Sequence, residues 1–529
     1  MKKLTRGSAF AAVAMVLDYL GLPVASAMAP LGMPLRIPAQ SATALAPVTG
    51  PAPNMLNRIA LPVPYAKAMR ALAARPHPKV AAPVIGRERV RSAGPRSLRT
   101  GGAVQAQSLS CTPPAAAPEL VELARALKYD PDLIYEYVYD NITTLAQYGS
   151  LKGPLGALLD GAGTPFDQAE LMYVLLQQSC YSPQYELGQI HLTSAQYTNW
   201  LGTDTTFYSV AYALGSGGFP TQAYGSYSDV TDVTLGWAWV KVTINGTAYV
   251  FDPSTKTYAR SAGLANLGSA LGYSQSGLIS DVESGATINP TDISGLARSA
   301  LRNDLSGYAS NLVDYIRTHN PTATTADIIG GKRIEPLPVN THLRQTALPI
   351  AYGSVTDYST LPSQYRTTMA VSVLGASTVT FNTSDVYGHR LSLFFNSSNQ
   401  PVLLLDGVVE ATGSVAGSGS QVGIGISVTH PYPSTFADQS GTLNVLSGGT
   451  YVISNGWGPV GRGMIERHRR LLQENQAALP GNSTDESVLG ESLAMIGYTW
   501  LAQNGRIQQL TDQLGGTLTH ISTLWASSA

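Results

Sequence analysis

The stretch Trp237-Ala238-Trp239-Val240-Lys241-Val242-Thr243-Ile244-Asn245-Gly246-Thr247-Ala248-Tyr249-Val250-Phe251-Asp252-Pro253-Ser254 reads as a β-hairpin. Two strand-like runs, Ala238 to Ile244 and Ala248 to Phe251, flank Asn245-Gly246, the dipeptide suited to the positive φ angles of a type I′ turn. Upstream, Gln184 to Leu192 predicts a further strand. Before it the apolar spacing becomes helical. Pro165 to Gln178 sets Ala169, Met172, Leu175 and Leu176 on one face. Asp130-Pro131-Asp132 opens another helix, with Asp130 as N-cap and Pro131 at the first helical position. Leu133, Ile134, Tyr137 and Val138 supply its apolar face, and Asn141-Ile142 ends it. Glu119 to Leu127 forms a further helix through Leu120, Leu123, Ala124 and Leu127. A Gly-rich loop runs from Gly149 to Gly163. Helices followed by an antiparallel sheet make an α+β fold.

The 529 residues exceed one core and predict two to three domains. Charged residues are only 13%, and formal net charge is −1, so the whole chain carries no nucleic-acid footprint. Residues 1–29 read as a secretory signal: Lys2, Lys3 and Arg6, then apolar Ala9 to Leu17, then Ala25-Ser26-Ala27 for cleavage. Asp18 interrupts that pattern. Residues 30–117 are rich in Pro and Ala and basic, with Glu88 the lone acid, and predict a disordered linker; the charge also suits an anionic envelope surface. Residues 118–258 hold the helix-and-sheet core. Residues 259–350 read as a helical connector, with Leu296, Ala300, Leu301, Leu305, Tyr308, Leu312 and Ile316 at helical spacing. Residues 351–460 read as an antiparallel β-sandwich, through Thr368 to Leu374, Arg390 to Phe395 and Val402 to Leu405. Residues 461–529 form a helical tail. No later run of about 18 apolar residues predicts a transmembrane helix. The two cysteines, Cys111 and Cys180, either pair in an oxidising compartment or remain separate thiols.

Three landmarks inside the core carry the chemistry. Gly163-Thr164-Pro165-Phe166-Asp167-Gln168-Ala169 opens a helix, Trp237-Ala238-Trp239-Val240-Lys241-Val242 forms a strand, and Phe251-Asp252-Pro253-Ser254 ends the next. Leu175-Leu176-Gln177-Gln178-Ser179-Cys180-Tyr181 closes the helix. Taken in chain order the four resemble the transglutaminase-like (papain-type) family over about a quarter of the chain. That resemblance implies a papain-like transglutaminase-type core, helices plus antiparallel sheet, with a Cys–His–Asp triad. A Cys at the helix start is held as thiolate by the helix dipole; a His beginning the strand acts as base; the Asp orients it. Pro118-Glu119-Leu120-Val121-Glu122-Leu123-Ala124 and Tyr148-Gly149-Ser150-Leu151-Lys152-Gly153, with Phe166-Asp167-Gln168-Ala169, are similar to the N-terminal part of large secreted bacterial proteins with YD (Rhs) repeats. No such repeats are present here.

The triad is degenerate. Pro165 stands at the nucleophile position and Trp237 at the base position; Asp252 alone is retained. Cys180 falls about 22 Å from the helix start, at its far end. His191 and Asp167 are the substitutes within reach, His191 also reading as an ordinary strand residue and Asp167 as a charge that complements the helix dipole. Trp237 and Trp239 offer either core packing or a stacking surface for ligand. His468, in Arg462-Gly463-Met464-Ile465-Glu466-Arg467-His468-Arg469-Arg470, reads as part of a solvated basic helix. His389 and His430 lack metal-ligand spacing, and Gly413 to Gly425 lacks a P-loop lysine. The sequence therefore predicts no metal, no cofactor, and an exported non-catalytic module that binds or scaffolds a peptide or glycan of the cell envelope. The alternatives are an amide hydrolase or acyl transferase rearranged around Asp252 with His191 or Asp167, and an envelope structural protein held by the basic linker.

Overall fold

The computed structural model describes residues 111–289, 293–337, 344–431 and 439–515, with short strands at 59–60 and 522–528. The signal-like segment, and the expected linker apart from residues 59–60 and 111–117, lie outside the described residues. The chain is α+β with antiparallel principal sheets.

Four helices come first: α1 (Pro118–Ala126), α2 (Pro131–Asn141), α3 (Gly153–Asp160) and α4 (Pro165–Gln178). Each has proline at its start. Asp130 caps α2 by accepting from the Asp132 N–H at 2.8 Å. Then β1 (Gln184–Thr193), α5 (Ser194–Leu201), α6 (Phe207–Ser216), β2 (Thr221–Gly225), β3 (Val230–Ile244) and β4 (Thr247–Phe251) follow. Asn245 and Gly246 have φ of 50° and 82°, as a type I′ turn between β3 and β4 requires. β3 is the spine of the sheet, since β1 lies on one side while β2 and β4 share the other. Cys111 and Cys180 form a disulfide, which ties residue 111 to the end of α4. Closing a loop of this length stabilises the fold by about 4 kcal/mol in the chain-entropy account.

The connector is only partly helical. β5 (Tyr258–Ser261) pairs with β6 (Gly331–Ile334). Between them lie α7 (Leu267–Leu271), α8 (Gln275–Val282), α9 (Arg298–His319) and α10 (Thr325–Ile329). The apolar residues at helical spacing do fall in α9, yet none of its residues is buried and Leu305 is 53% exposed. The expected boundary at 351 also shifts. β7 (Ala351–Tyr358) joins the first sheet as an antiparallel neighbour of β1, Ala351 opposite Ile190 and Tyr358 opposite Tyr185.

The sandwich follows. β8 (Thr368–Ser372), β9 (Val379–Asn382), β10 (Leu391–Phe395), β11 (Pro401–Leu405), β12 (Val408–Thr412), β13 (Gln421–Thr429), β14 (Gln439–Leu446) and β15 (Thr450–Trp457) divide into two sheets. One runs β14-β13-β8-β9 and takes the parallel strand 59–60 at its edge; the other runs β12-β11-β10-β15. Their inner faces share one core containing Met369, Leu393, Leu403, Ile424, Val445 and Tyr451. The tail is not independent. α11 (Arg462–Ala478) and α12 (Glu486–Gly515) contribute Met464, Leu493, Tyr498 and Leu501 to that core, and β16 (Ser522–Ser528) extends the second sheet beside β15.

The two cores meet at Tyr148 to Gly153. Tyr148 belongs to the first core and Leu151 to the second. Gly149 has φ +86°, and a Cβ there would lie 2.3 Å from Pro431 Cγ, so only glycine fits. The Ser150 N–H donates to Tyr365 O at 2.8 Å, and the Thr367 N–H donates back to Ser150 O at 3.0 Å. Lys152, fully buried, pairs with Asp160 at 2.6 Å and donates to Pro459 O at 2.8 Å. Asp160 also accepts from Tyr387 Oη and the Gly461 N–H, each at 2.7 Å. No helix among the described residues is long and apolar enough to cross a membrane.

Candidate functional site

The start of α4 is where the papain-type reading places a nucleophile. Thr164 and Asp167 form a reciprocal capping box there, and Pro165 occupies the first turn, buried. Asp167 does more than complement the dipole. Its Oδ1 accepts N–H bonds from Leu151, Lys152 and Gly153 at 2.8, 2.9 and 2.9 Å, and its Oδ2 accepts from Thr164 at 3.0 Å. Burial pushes this carboxyl up, against the pull of those backbone donors. All four donors belong to the protein, so Asp167 works as a fastener between the loop and α4.

One turn later sits Glu170, which the sequence did not single out. It is buried, accepts from Ser150 Oγ, and pairs with Arg366 at 2.9 Å. Desolvation outweighs the guanidinium and raises its pKa to about 7. The unfolded chain releases this proton near 4.5, so the folded state binds it more tightly. The stability it contributes is complete below pH 4.5 and falls as pH rises to 7, by about 3 kcal/mol at most. Urea denaturation at pH 5 and 7.5 checks this: Glu170→Gln is expected to flatten that part of the profile, and an unchanged slope would refute the assignment.

The base position is filled by aromatic packing. Trp237 is buried, stacked on Phe219 at 5.8 Å and edge-on to Trp200 at 5.4 Å. Phe219 continues to Tyr148 at 5.8 Å, Tyr148 to Phe166 at 5.1 Å, and Phe166 to Tyr365 at 5.6 Å. This chain of rings runs from β3 to the first turn of α4. Trp239 is buried too, with its indole N–H donating to Glu186. Glu186 and Asp357 share Lys241 at 3.1 and 2.9 Å. Neither tryptophan presents an open face, which corrects their assignment as ligand-stacking residues: both side chains are spent on core packing.

Asp252 is buried at the end of β4. Its carboxylate accepts from the Ser254 N–H at 2.8 Å and the Thr255 N–H at 3.3 Å, and from both hydroxyls. Those bonds close the Asp-Pro-Ser-Thr turn. His191 is elsewhere. It faces Thr234 across β3, whereas Phe251 faces Val240, six residues or about 20 Å further along the strand. Its Nε2 instead meets Asp232 Oδ1 at 3.0 Å. Asp232 was missed because Gly236 interrupts the alternating pattern and the strand was read from Ala238 only. Val230, Val233 and Leu235, all buried, carry it back to residue 230.

His468 corrects a further expectation. Arg467 and His468 are buried, and His468 Nδ1 lies 2.7 Å from Glu491 Oε2. Among the described residues no group of three or more His, Cys, Asp or Glu is gathered as a metal site. No family model, curated protein or solved structure matches the chain.

Proposed function

We propose that this chain is an exported, non-catalytic relative of the transglutaminase-like (papain-type) proteins, serving the cell envelope as a scaffold or binding module for a peptide or glycan. The observation that carries the reading is the occupation of the two reactive positions by Pro165 and by Trp237, the latter walled in by Trp200 and Phe219. Pyrrolidine supplies no nucleophile, and a buried indole supplies no base. The rearranged enzyme needs His191 or Asp167 to work with Asp252, but His191 is held by Asp232 and Asp167 by four backbone donors. The Cys111–Cys180 disulfide supports export, since such bonds persist in oxidising compartments. Similarity of the Tyr148–Gly153 segment to secreted Rhs-associated proteins points the same way.

The test is turnover. Ammonia release from glutaminyl peptides and amine incorporation into them are expected to stay at the protein-free rate for the parent and for Asp252→Ala. Turnover by the parent that Asp252→Ala abolishes would overturn the non-catalytic reading.

A further inference from the structure

The first sheet carries a row of side chains that neither core uses. Tyr352 on β7, His191 on β1, Asp232 on β3 and Tyr224 on β2 come from four adjacent strands. Tyr224 stands directly opposite Asp232 in the ladder. The His191 ring centroid lies 5.7 Å from that of Tyr352 and 6.2 Å from that of Tyr224, tilted by 36° and 42°. Asp232 fixes the imidazole at 3.0 Å. The row is open to solvent: Tyr352 is 49% exposed, and the side chains of His191 and Asp232 are 37% and 28% exposed.

We infer that this row is a binding platform for a neutral oligosaccharide. A sugar ring offers a C–H face and a rim of hydroxyls. Tyrosine rings accept the face, while the partly exposed Asp232 carboxylate, steadied by His191 Nε2, accepts from the hydroxyls. The platform also continues. Beyond Tyr224 the chain turns through Tyr227, 49% exposed, whose ring lies 6.5 Å from that of Tyr208, 68% exposed, at a tilt of 33°. Tyr227 comes three positions after Tyr224, in the turn that joins β2 to β3, so the two patches suit a chain of sugars better than a single one. A peptide is disfavoured by the edge itself. The register of β7 shifts between Tyr352 and Thr356, which breaks the ladder an added strand would extend. One carboxylate beside one imidazole gives no field for a polyanion.

This inference rests on the binding-module reading, whose glycan arm it makes specific. The experiment is affinity electrophoresis of the full chain through native gels cast with hydroxyethyl cellulose, xylan, glucomannan, dextran or laminarin, and with denatured casein as the peptide probe. At least one polysaccharide is expected to retard the parent. Tyr224→Ala with Tyr352→Ala is expected to weaken that binding about tenfold or more, the equivalent of ~1.4 kcal/mol, and Tyr208→Ala with Tyr227→Ala to weaken it also. Tyr224→Phe with Tyr352→Phe keeps the stacking faces and is expected to retain binding, which separates ring contact from loss of fold. The platform is overturned if no polysaccharide retards the parent, if the alanine pair is retarded equally, or if only casein retards it. Amide turnover with retardation intact would sink the non-catalytic reading and leave the platform standing.

Discussion

Asp167→Ala is expected to cost about 4 kcal/mol or more, measured as the shift in urea denaturation at constant slope. The carboxylate accepts four backbone N–H bonds, from Leu151, Lys152, Gly153 and Thr164, with no exposure of its own. Alanine leaves those donors buried and unpaired, each at a cost of about 1–3 kcal/mol where water does not enter. The loss reaches past α4, because the segment it holds includes Leu151, a member of the second core, and Lys152, which grips Asp160. Asp167→Asn is expected to cost less, about 2 kcal/mol. Its one carbonyl oxygen can still serve the three loop donors, while its amide faces the Thr164 N–H, donor against donor. A cost for Asp167→Ala within about 1 kcal/mol of zero would mean that water replaces the carboxylate.

This fastener was half legible in the sequence. Thr164-Pro165-Phe166-Asp167 announces a helix start, and the capping contact is local. The donors at residues 151–153 are not local: they stand 14 to 16 residues before Asp167 in the chain. The same division runs through the molecule. The Asn245-Gly246 turn, the Asp130 cap and the prolines that open the helices were readable because each acts within a few residues. Periodicity showed that α9 is a helix, but a helix keeps its apolar stripe whether or not anything covers it, and Leu305 remains in solvent. The strand at 351–358 carries no mark of which sheet it joins; its pairing with β1 is decided across more than 150 residues of sequence. Arg467 and His468 look like any solvated basic turn, because their partners are distant in sequence: Arg467 donates to Glu119 and to Gly388 O, and His468 meets Glu491, 23 residues further on. For the site, sequence placed Pro165, Trp237 and Asp252 on the right elements. It could not show that rings from α5, the Phe219 turn and the 148 loop fill the gap between the first two. It named His191 with the wrong acid, since Asp252 stood in a recognisable motif and Asp232 did not.

Glu491→Ala is expected to cost about 3–5 kcal/mol, the range for removing one member of a buried charged set. Glu491 stands between two groups that need it. Its Oε1 takes Arg390 Nη1 at 2.7 Å and its Oε2 takes His468 Nδ1 at 2.7 Å. Arg390 also reaches Glu486, through Nε at 3.0 Å and Nη2 at 3.2 Å. His468 stacks on Tyr498 with centroids 4.9 Å apart. The set joins α11, α12 and the strand that begins just after Arg390, so the alanine variant strands an imidazole and half a guanidinium inside the second core. Replacing both partners should be milder. In His468→Leu with Glu491→Leu the polar pair gives way to apolar volume beside Tyr498, and Arg390 keeps its two-point contact with Glu486. A double-mutant cycle measures the difference, and a coupling energy of about 1–3 kcal/mol is expected. Strict additivity of the single and double variants would show that His468 and Glu491 contribute separately. Coupling would place the strongest polar contact of the tail in the sandwich it covers, and it would explain why a helix with so basic a surface is held as part of that domain.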